Sequence, residues 1–207
     1  MLDYEQDIIN KGYSYIAGAD EAGRGPLCGP VVCAAVILPL EYKNELINDS
    51  KQLTDKVRRE LFKEIKEVAL AYSIQIISPQ TIDEINILEA SRLGMTKALQ
   101  ELRPAPDYIL TDYMKIYAIK DVPIEALVKG DARSINIAAA SILAKVTRDD
   151  IMDELDKKYP QYNFKKNKGY PTKDHLEALK KYGVVKEIYR FSYKPVKAII
   201  HEQISLF

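Results

Sequence analysis

Residues 14–38 read SYIAGADEAGRGPLCGPVVCAAVIL, from Ser14 to Leu38. Two apolar runs, 15–19 and 31–38, are short, rich in β-branched or small residues, and bounded by Gly or Pro. That pattern predicts two strands joined by a tight, glycine-rich turn. Asp20 and Glu21 close the first strand. Adjacent carboxylates at the end of a buried strand repel each other and lose solvation, so they call for a compensating cation, commonly a bound metal. Gly23-Arg24-Gly25-Pro26 follows. Glycine lets backbone approach a ligand closely, and arginine offers a planar donor fork suited to phosphate. The stretch therefore offers a metal site and a phosphate-facing backbone side by side. An Asp-Glu pair and a glycine-flanked arginine also occur as plain solvated turns, and the rest of the chain has to decide.

Nucleotide-binding loops are excluded. A dinucleotide fingerprint needs a third glycine and a helix after the turn; here Cys28 fills that slot and a strand-like run follows. No G-x-x-x-x-G-K-[ST] occurs.

The chain has 207 residues, 47% of them hydrophobic, which suits one globular domain with a sizeable core. Thirty basic residues balance thirty acidic ones. Nucleic-acid binding would then rest on a local basic patch rather than on global charge. Two cysteines and two histidines at unrelated spacing give no zinc signature. The polar, acidic residues 1–11 do not read as a signal peptide, and no apolar run reaches about 18 residues. The expectation is a soluble protein of a reducing cytoplasm.

Further along, Asn48-Asp49-Ser50-Lys51-Gln52-Leu53 leads into a predicted helix, 54–71, with Ser50 or Thr54 as cap and Val57, Leu61, Ile65 and Val68 on one face. A strand is expected at 73–77, and a helical stretch at 79–102, broken near Asn86. Residues 108–112, YILTD, read as a buried strand ending in Asp112. In sheet-based enzymes ligand groups gather at strand ends. Another short strand ends in the Gly130-Asp131 turn, and a long helix over 134–158 follows. Asp131 could equally be a helix-flanking aspartate favoured by the macrodipole. From Tyr159 the composition shifts to a basic segment, FKKNKGYP (164–171). Lysine with an interleaved aromatic suits a solvated face or a nucleic-acid backbone. Thr172 and Gly183 bracket one more predicted helix, with His175 expected as a first-turn surface residue.

Taken together, DEAGRGP (20–26), GPVVCAAVIL (29–38), NDSKQL (48–53), KGDARSINIAAASILAKVTRD (129–149), KGYPT (168–172) and YRFSYKPV (189–196) resemble bacterial ribonuclease HII, the type 2 ribonuclease H. The resemblance spans about residues 15–196. It implies an α/β chain of ribonuclease H-like fold: a mixed central sheet flanked by helices, with a small C-terminal helical segment. Residues 1–207 would form a single catalytic domain, with 159–207 as a substrate-contacting appendage.

It also implies an endoribonuclease that hydrolyses RNA in RNA–DNA hybrids and incises 5′ to single ribonucleotides in duplex DNA. The products would carry 3′-hydroxyl and 5′-phosphate ends, and the role would be ribonucleotide removal in replication and repair. Asp20, Glu21, Asp112 and Asp131 become the catalytic, metal-binding carboxylates. An all-oxygen donor set favours Mg²⁺ or Mn²⁺ over zinc, and two such ions about 4 Å apart can clamp an in-line displacement at phosphorus. Gly23, Arg24 and Gly25 would grip the ribose 2′-hydroxyl while Tyr170 stacks beneath it; Lys51 and Lys168 would face the substrate. Tyr113 stands where the pattern has glycine, Tyr189 where it has histidine, and Tyr193 where it has phenylalanine.

Two other readings stay open: a junction resolvase on the same fold, and a non-catalytic hybrid binder. The C-terminal QISLF resembles the short peptide by which bacterial repair proteins dock on the replication sliding clamp. Gln203, Leu206 and Phe207 would then be partner-binding anchors; alternatively, the Leu-Phe pair folds back onto the domain. A monomer is expected.

Overall fold

The structure of the protein is a computed structural model that describes residues 2–47 and 53–204. Strand β1 (Ile16–Ala22) and strand β2 (Val31–Ile37) pair antiparallel, with Ala17 opposite Ile37 and Asp20 opposite Ala34. The hairpin predicted from residues 14–38 is present, and its first strand runs on through Asp20 and Glu21. Helix α2 (Asp55–Val68) follows, capped by the Thr54 hydroxyl, which accepts from the Val57 N–H. Strand β3 (Ala71–Ile77) lies antiparallel to β2. Helix α3 (Pro79–Glu101) is kinked at Asn86, whose φ of 66° breaks it where expected. The Asn86 side chain accepts from the N–H groups of Leu88 and Glu89 and so restarts the helix.

Strand β4 (Tyr108–Asp112) pairs parallel with β1, and strand β5 (Ile124–Leu127) parallel with β4. The sheet order is β3-β2-β1-β4-β5. An antiparallel half thus meets a parallel half at β1, which is the mixed sheet the sequence predicts.

Helix α4 (Ile135–Lys158) crosses the sheet. Period-two alternation divides the core. Val31, Cys33, Ala35 and Ile37 of β2 face α3 with Ile82, Met95 and Leu99. Val32, Ala34 and Val36 face the other way, onto α2 and α4 with Leu61, Ile65 and Leu143. Strands covered on both faces read as continuous apolar runs, and β2 is buried throughout. At Gly18 of β1, a Cβ would lie 2.1 Å from the Asn136 carbonyl carbon, so only glycine lets the first turn of α4 rest on the strand backbone.

The segment after α4 contains α5 (Phe164–Asn167), α6 (Lys173–Tyr182) and α7 (Lys194–Ile204). It builds a third core in which Tyr162, Phe164, Leu179, Tyr189 and Val196 close around Leu27 and Cys28 of the β1–β2 connection. Side chains between Tyr162 and Val196 are therefore packed onto the opening turn.

Two expectations are corrected. Thr172 and Gly183 do bracket α6, but His175 is wholly buried rather than on the surface. Its ring lies edge-on to Phe164, and both its nitrogens have partners, so it belongs to the third core. At the N-terminus, helix α1 (Leu2–Asn10) forms where no element was predicted. It seats Ile8 against Ile16, Leu110 and Leu127, and the Ser134 hydroxyl donates to its buried Glu5 carboxylate. Lys51, Leu206 and Phe207 lie outside the described residues, as does the side chain of Gln203. Among the described residues no helix is long and apolar enough to cross a membrane.

Candidate active site

Side chains on the β1–β2 pair inherit the alternation of the sheet. Asp20 sits opposite Ala34 and faces α4; Glu21 sits opposite Cys33 and faces α3. The adjacent carboxylates therefore leave the strand on opposite sides. Asp112 ends the neighbouring parallel strand β4. Asp131 lies in a short 3-10 turn, Gly130–Ala132, just before α4. Ser134 caps α4, its hydroxyl accepting from the Ile137 N–H.

Carboxylate oxygens of Asp20, Asp112 and Asp131 all lie within 4.8 Å of one another. Asp20 accepts from the Glu21 N–H at 2.7 Å, and Asp112 from the Gly130 N–H at 2.8 Å. The second bond ties β4 to the turn that carries Asp131. Burial, then the charges of Glu21 and Asp112, push the Asp20 carboxyl well above its usual range. Three converging carboxylates, two of them buried, form an oxygen-only donor set that fits a hard divalent cation. Glu21 is not in this triad: it lines the same cleft and pairs with Arg24 at 3.3 Å.

The cleft holds about 330 Å³. Asp20, Glu21 and Asp112 line one part of it, and Gly23, Arg24, Gly25 and Tyr170 another. Tyr170 is half exposed, and a Cβ on Gly25 would lie 3.2 Å from its ring, so the glycine allows the aromatic to close over the turn. Three further lining residues, Ser141, Lys145 and Arg148, were not singled out from the sequence. Their i, i+4, i+7 spacing on α4 is the signal that could have found them. Lys145 donates to Asp149 at 2.6 Å, and burial holds its ammonium below the usual lysine range.

Two buried arginines hold the turn. Arg148 donates to the carbonyls of Pro30, Cys28 and Lys168. Gly23, at φ +99°, leaves room for it: a Cβ there would lie 2.0 Å from Arg148 Nε. Arg190 donates to the carbonyls of Gly23, Arg24 and Gly29. Lys168 stands apart from the cleft: its ammonium bonds Asp153 of α4.

Tyr113, in the place of the pattern's glycine, takes a glycine-like φ of 58°. Its N–H donates to the Leu127 carbonyl at 2.9 Å, which ties the turn after Asp112 to the end of β5, and the left-handed backbone carries a steric cost.

Known proteins resemble this chain in sequence and in fold. The sequence profile of the Ribonuclease HII family matches residues 17–196. Ribonuclease HII of Ruminiclostridium cellulolyticum is 53% identical over 195 residues, covering 93% of this chain and 75% of that one. Its counterpart in Listeria monocytogenes is 51% identical over 198 residues, covering 95% and 74%. Among solved structures, ribonuclease H2 from Pyrococcus horikoshii superposes with a TM-score of 0.79 at 30% identity, over 90% of this chain and 97% of that one. RNase HII in the PCNA:RNase HII complex from Archaeoglobus fulgidus gives 0.73 at 27% identity, over 87% and 95%. A match over nearly the whole chain, on a ribonuclease H fold with acidic strand ends gathered at one cleft, establishes that the chain belongs to the ribonuclease HII family, metal-dependent endonucleases of the ribonuclease H class.

Proposed function

We propose that this cleft incises duplex DNA on the 5′ side of a single ribonucleotide, as well as cutting the RNA strand of RNA–DNA hybrids, and leaves 3′-hydroxyl and 5′-phosphate ends. The observation that carries the reading is one cleft lined by Asp20, Asp112, Gly23–Gly25 and Tyr170, with Asp131 beside the two aspartates.

Asp20, Asp112 and Asp131 are the residues that hold divalent metal, Mg²⁺ or Mn²⁺, with Glu21 at the flank. Two such cations, when bound, supply Lewis-acid activation and charge neutralisation for an in-line displacement at phosphorus. The protein does the rest by positioning. The backbone of Gly23–Gly25 meets the 2′-hydroxyl, the group that distinguishes RNA from DNA. Tyr170 supplies a stacking face for the sugar beside the scissile bond. Arg24 exchanges part of its pairing with Glu21 for a substrate phosphate, and Lys51 contributes a second cation to the substrate backbone. Lys168 acts indirectly, by fixing the loop that carries Tyr170 through Asp153.

The chain acts as a monomer in the cytoplasm, removing ribonucleotides left in DNA. The Archaeoglobus fulgidus relative is solved in complex with PCNA, which supports a clamp interaction in this family. Here the C-terminal residues Gln203, Leu206 and Phe207 are the anchors we assign to it, as two apolar side chains and an amide seated in a pocket.

The test is a gel assay on a duplex with one ribonucleotide and on its all-DNA counterpart, with and without Mg²⁺. Cleavage of the ribonucleotide duplex alone, only with metal, is expected. Cleavage of the all-DNA duplex would point to a resolvase, and binding without cleavage to a hybrid binder.

A further inference from the structure

Arg190 and Tyr193 converge on two successive carbonyls of the turn that lines the cleft. Arg190 is fully buried. Its Nη2 donates to the Gly23 carbonyl at 2.7 Å, and its Nη1 to the Arg24 carbonyl at 3.0 Å. Nη1 also donates to the Tyr193 hydroxyl at 2.9 Å. That hydroxyl in turn donates to the Arg24 carbonyl at 2.6 Å, the shorter of the two bonds this oxygen receives. The guanidinium carbon stands 5.2 Å over the Tyr193 ring. Tyr193 therefore touches both the arginine and the carbonyl that the arginine holds.

The consequence follows from peptide planarity. The Gly23–Arg24 and Arg24–Gly25 peptides are trans. In a trans peptide, C=O and N–H point in opposite directions. Carbonyls drawn toward Arg190 thus send the Arg24 and Gly25 N–H groups to the opposite side. In a regular strand, successive carbonyls alternate. Here two in a row converge on one guanidinium. Successive N–H groups turned to one side form a concavity that receives an electronegative atom. Gly23, Arg24 and Gly25 line the cleft, whereas Arg190 and Tyr193 do not.

We propose that Tyr193 is a positioning residue for ribose recognition: with Arg190 it locks the Gly23–Gly25 peptide planes so that their N–H groups face the 2′-hydroxyl. This rests on the reading above that the turn contacts the ribose. The sequence pattern has phenylalanine at this position, so this chain adds a second donor to the Arg24 carbonyl. Arg190 Nη1 gives one hydrogen to the Arg24 carbonyl and one to the Tyr193 hydroxyl, and that hydroxyl gives its own hydrogen to the same carbonyl. The closed triangle stiffens the turn from outside the cleft.

The experiment uses Tyr193→Phe in the full chain. The change keeps the ring over Arg190 and restores the pattern residue, so the fold persists. Affinity is measured without Mg²⁺ for a duplex with one ribonucleotide and for the same all-DNA duplex. Wild-type protein is expected to prefer the ribonucleotide duplex. In Tyr193→Phe this preference falls about fivefold, the weight of one hydrogen bond, with all-DNA affinity unchanged. Amide hydrogen exchange at Arg24 and Gly25 accelerates in parallel. An unchanged preference overturns the proposal, whether or not exchange changes. Equal loss of affinity for both duplexes also overturns it, because the residue then supports binding in general. If wild-type protein itself shows no preference, the ribose reading of the turn fails, a result distinct from a wild-type preference that survives in Tyr193→Phe.

Discussion

His175 Nε2 lies 2.8 Å from the Tyr189 hydroxyl, deep in the C-terminal core. The other ring nitrogen, Nδ1, lies 2.8 Å from the Tyr170 carbonyl. A carbonyl only accepts, so Nδ1 carries the hydrogen. In the neutral ring Nε2 must then accept, and Tyr189 donates to it. A buried tyrosine and histidine thus fix the backbone of the residue whose ring closes over Gly25. Tyr189 replaces the histidine of the sequence pattern, and it has a defined partner here.

Burial holds the His175 pKa below its ordinary value. The unfolded chain therefore takes up a proton as pH falls through about 6.5, before the folded chain does. Folding loses stability over that interval and none of this effect is present above it. His175→Gln is expected to melt lower than wild type at pH 7.5, with the gap narrowing toward pH 5.5. Thermal melts of both proteins across that range check it. A gap that stays constant or widens with acid contradicts the buried, neutral histidine.

Tyr170→Ala removes a stacking platform worth about 1–3 kcal/mol. The loss in kcat/KM should be greater for a single-ribonucleotide duplex than for a continuous hybrid, where neighbouring ribonucleotides add contacts. Steady-state kinetics on the two substrates measure this. Equal losses would mean that Tyr170 only helps to bind duplex.

Tyr113 holds a left-handed conformation that costs a side chain about 1–2 kcal/mol. Tyr113→Gly should raise thermal stability, by up to about 1 kcal/mol once the freedom that glycine adds to the unfolded chain is subtracted. Denaturant melts test it. A less stable variant would show that the exposed ring makes contacts that outweigh the strain.

The parts of this molecule that could be read in the sequence are those set by local periodicity. Residues 14–38 give both strands of the hairpin, because turn residues bound two apolar runs covered on both faces. Asp20, Asp112 and Asp131 were legible because each stands at a strand end or before a helix cap. The unread parts depend on distant partners. Arg190 acts on carbonyls more than 160 positions earlier in the chain, separated from Gly23 by 167. Nothing near Arg148 or His175 in the sequence indicates that each would be buried against backbone carbonyls. The pairing of Lys168 with Asp153 of α4 is another contact that the sequence does not announce. The first helix was missed because a nine-residue helix is marginal by itself and forms through Ile8 docking on the sheet.

Removing residues 203–207 should abolish binding to a bacterial sliding clamp and spare cleavage of a short oligonucleotide, since tethering changes local concentration and not chemistry. Surface-immobilised clamp provides the binding measurement. Retained binding, or a melting temperature many degrees lower, would assign the tail a structural role.

The central claim is that the carboxylates at the ends of β1 and β4 and before α4 are the metal-holding centre of the reaction. Asp20→Asn keeps the shape of the side chain and removes its charge. Its pKa is raised in the folded chain without metal, so ionised Asp20 disfavours folding as pH rises through that value. The variant should be as stable as wild type or more so at pH 7.5 in metal-free buffer. The deciding measurement is its cleavage rate on a single-ribonucleotide duplex in saturating Mg²⁺, beside wild type. A fall of at least about 10²-fold in a fully folded protein is predicted; near-normal cleavage would contradict the account.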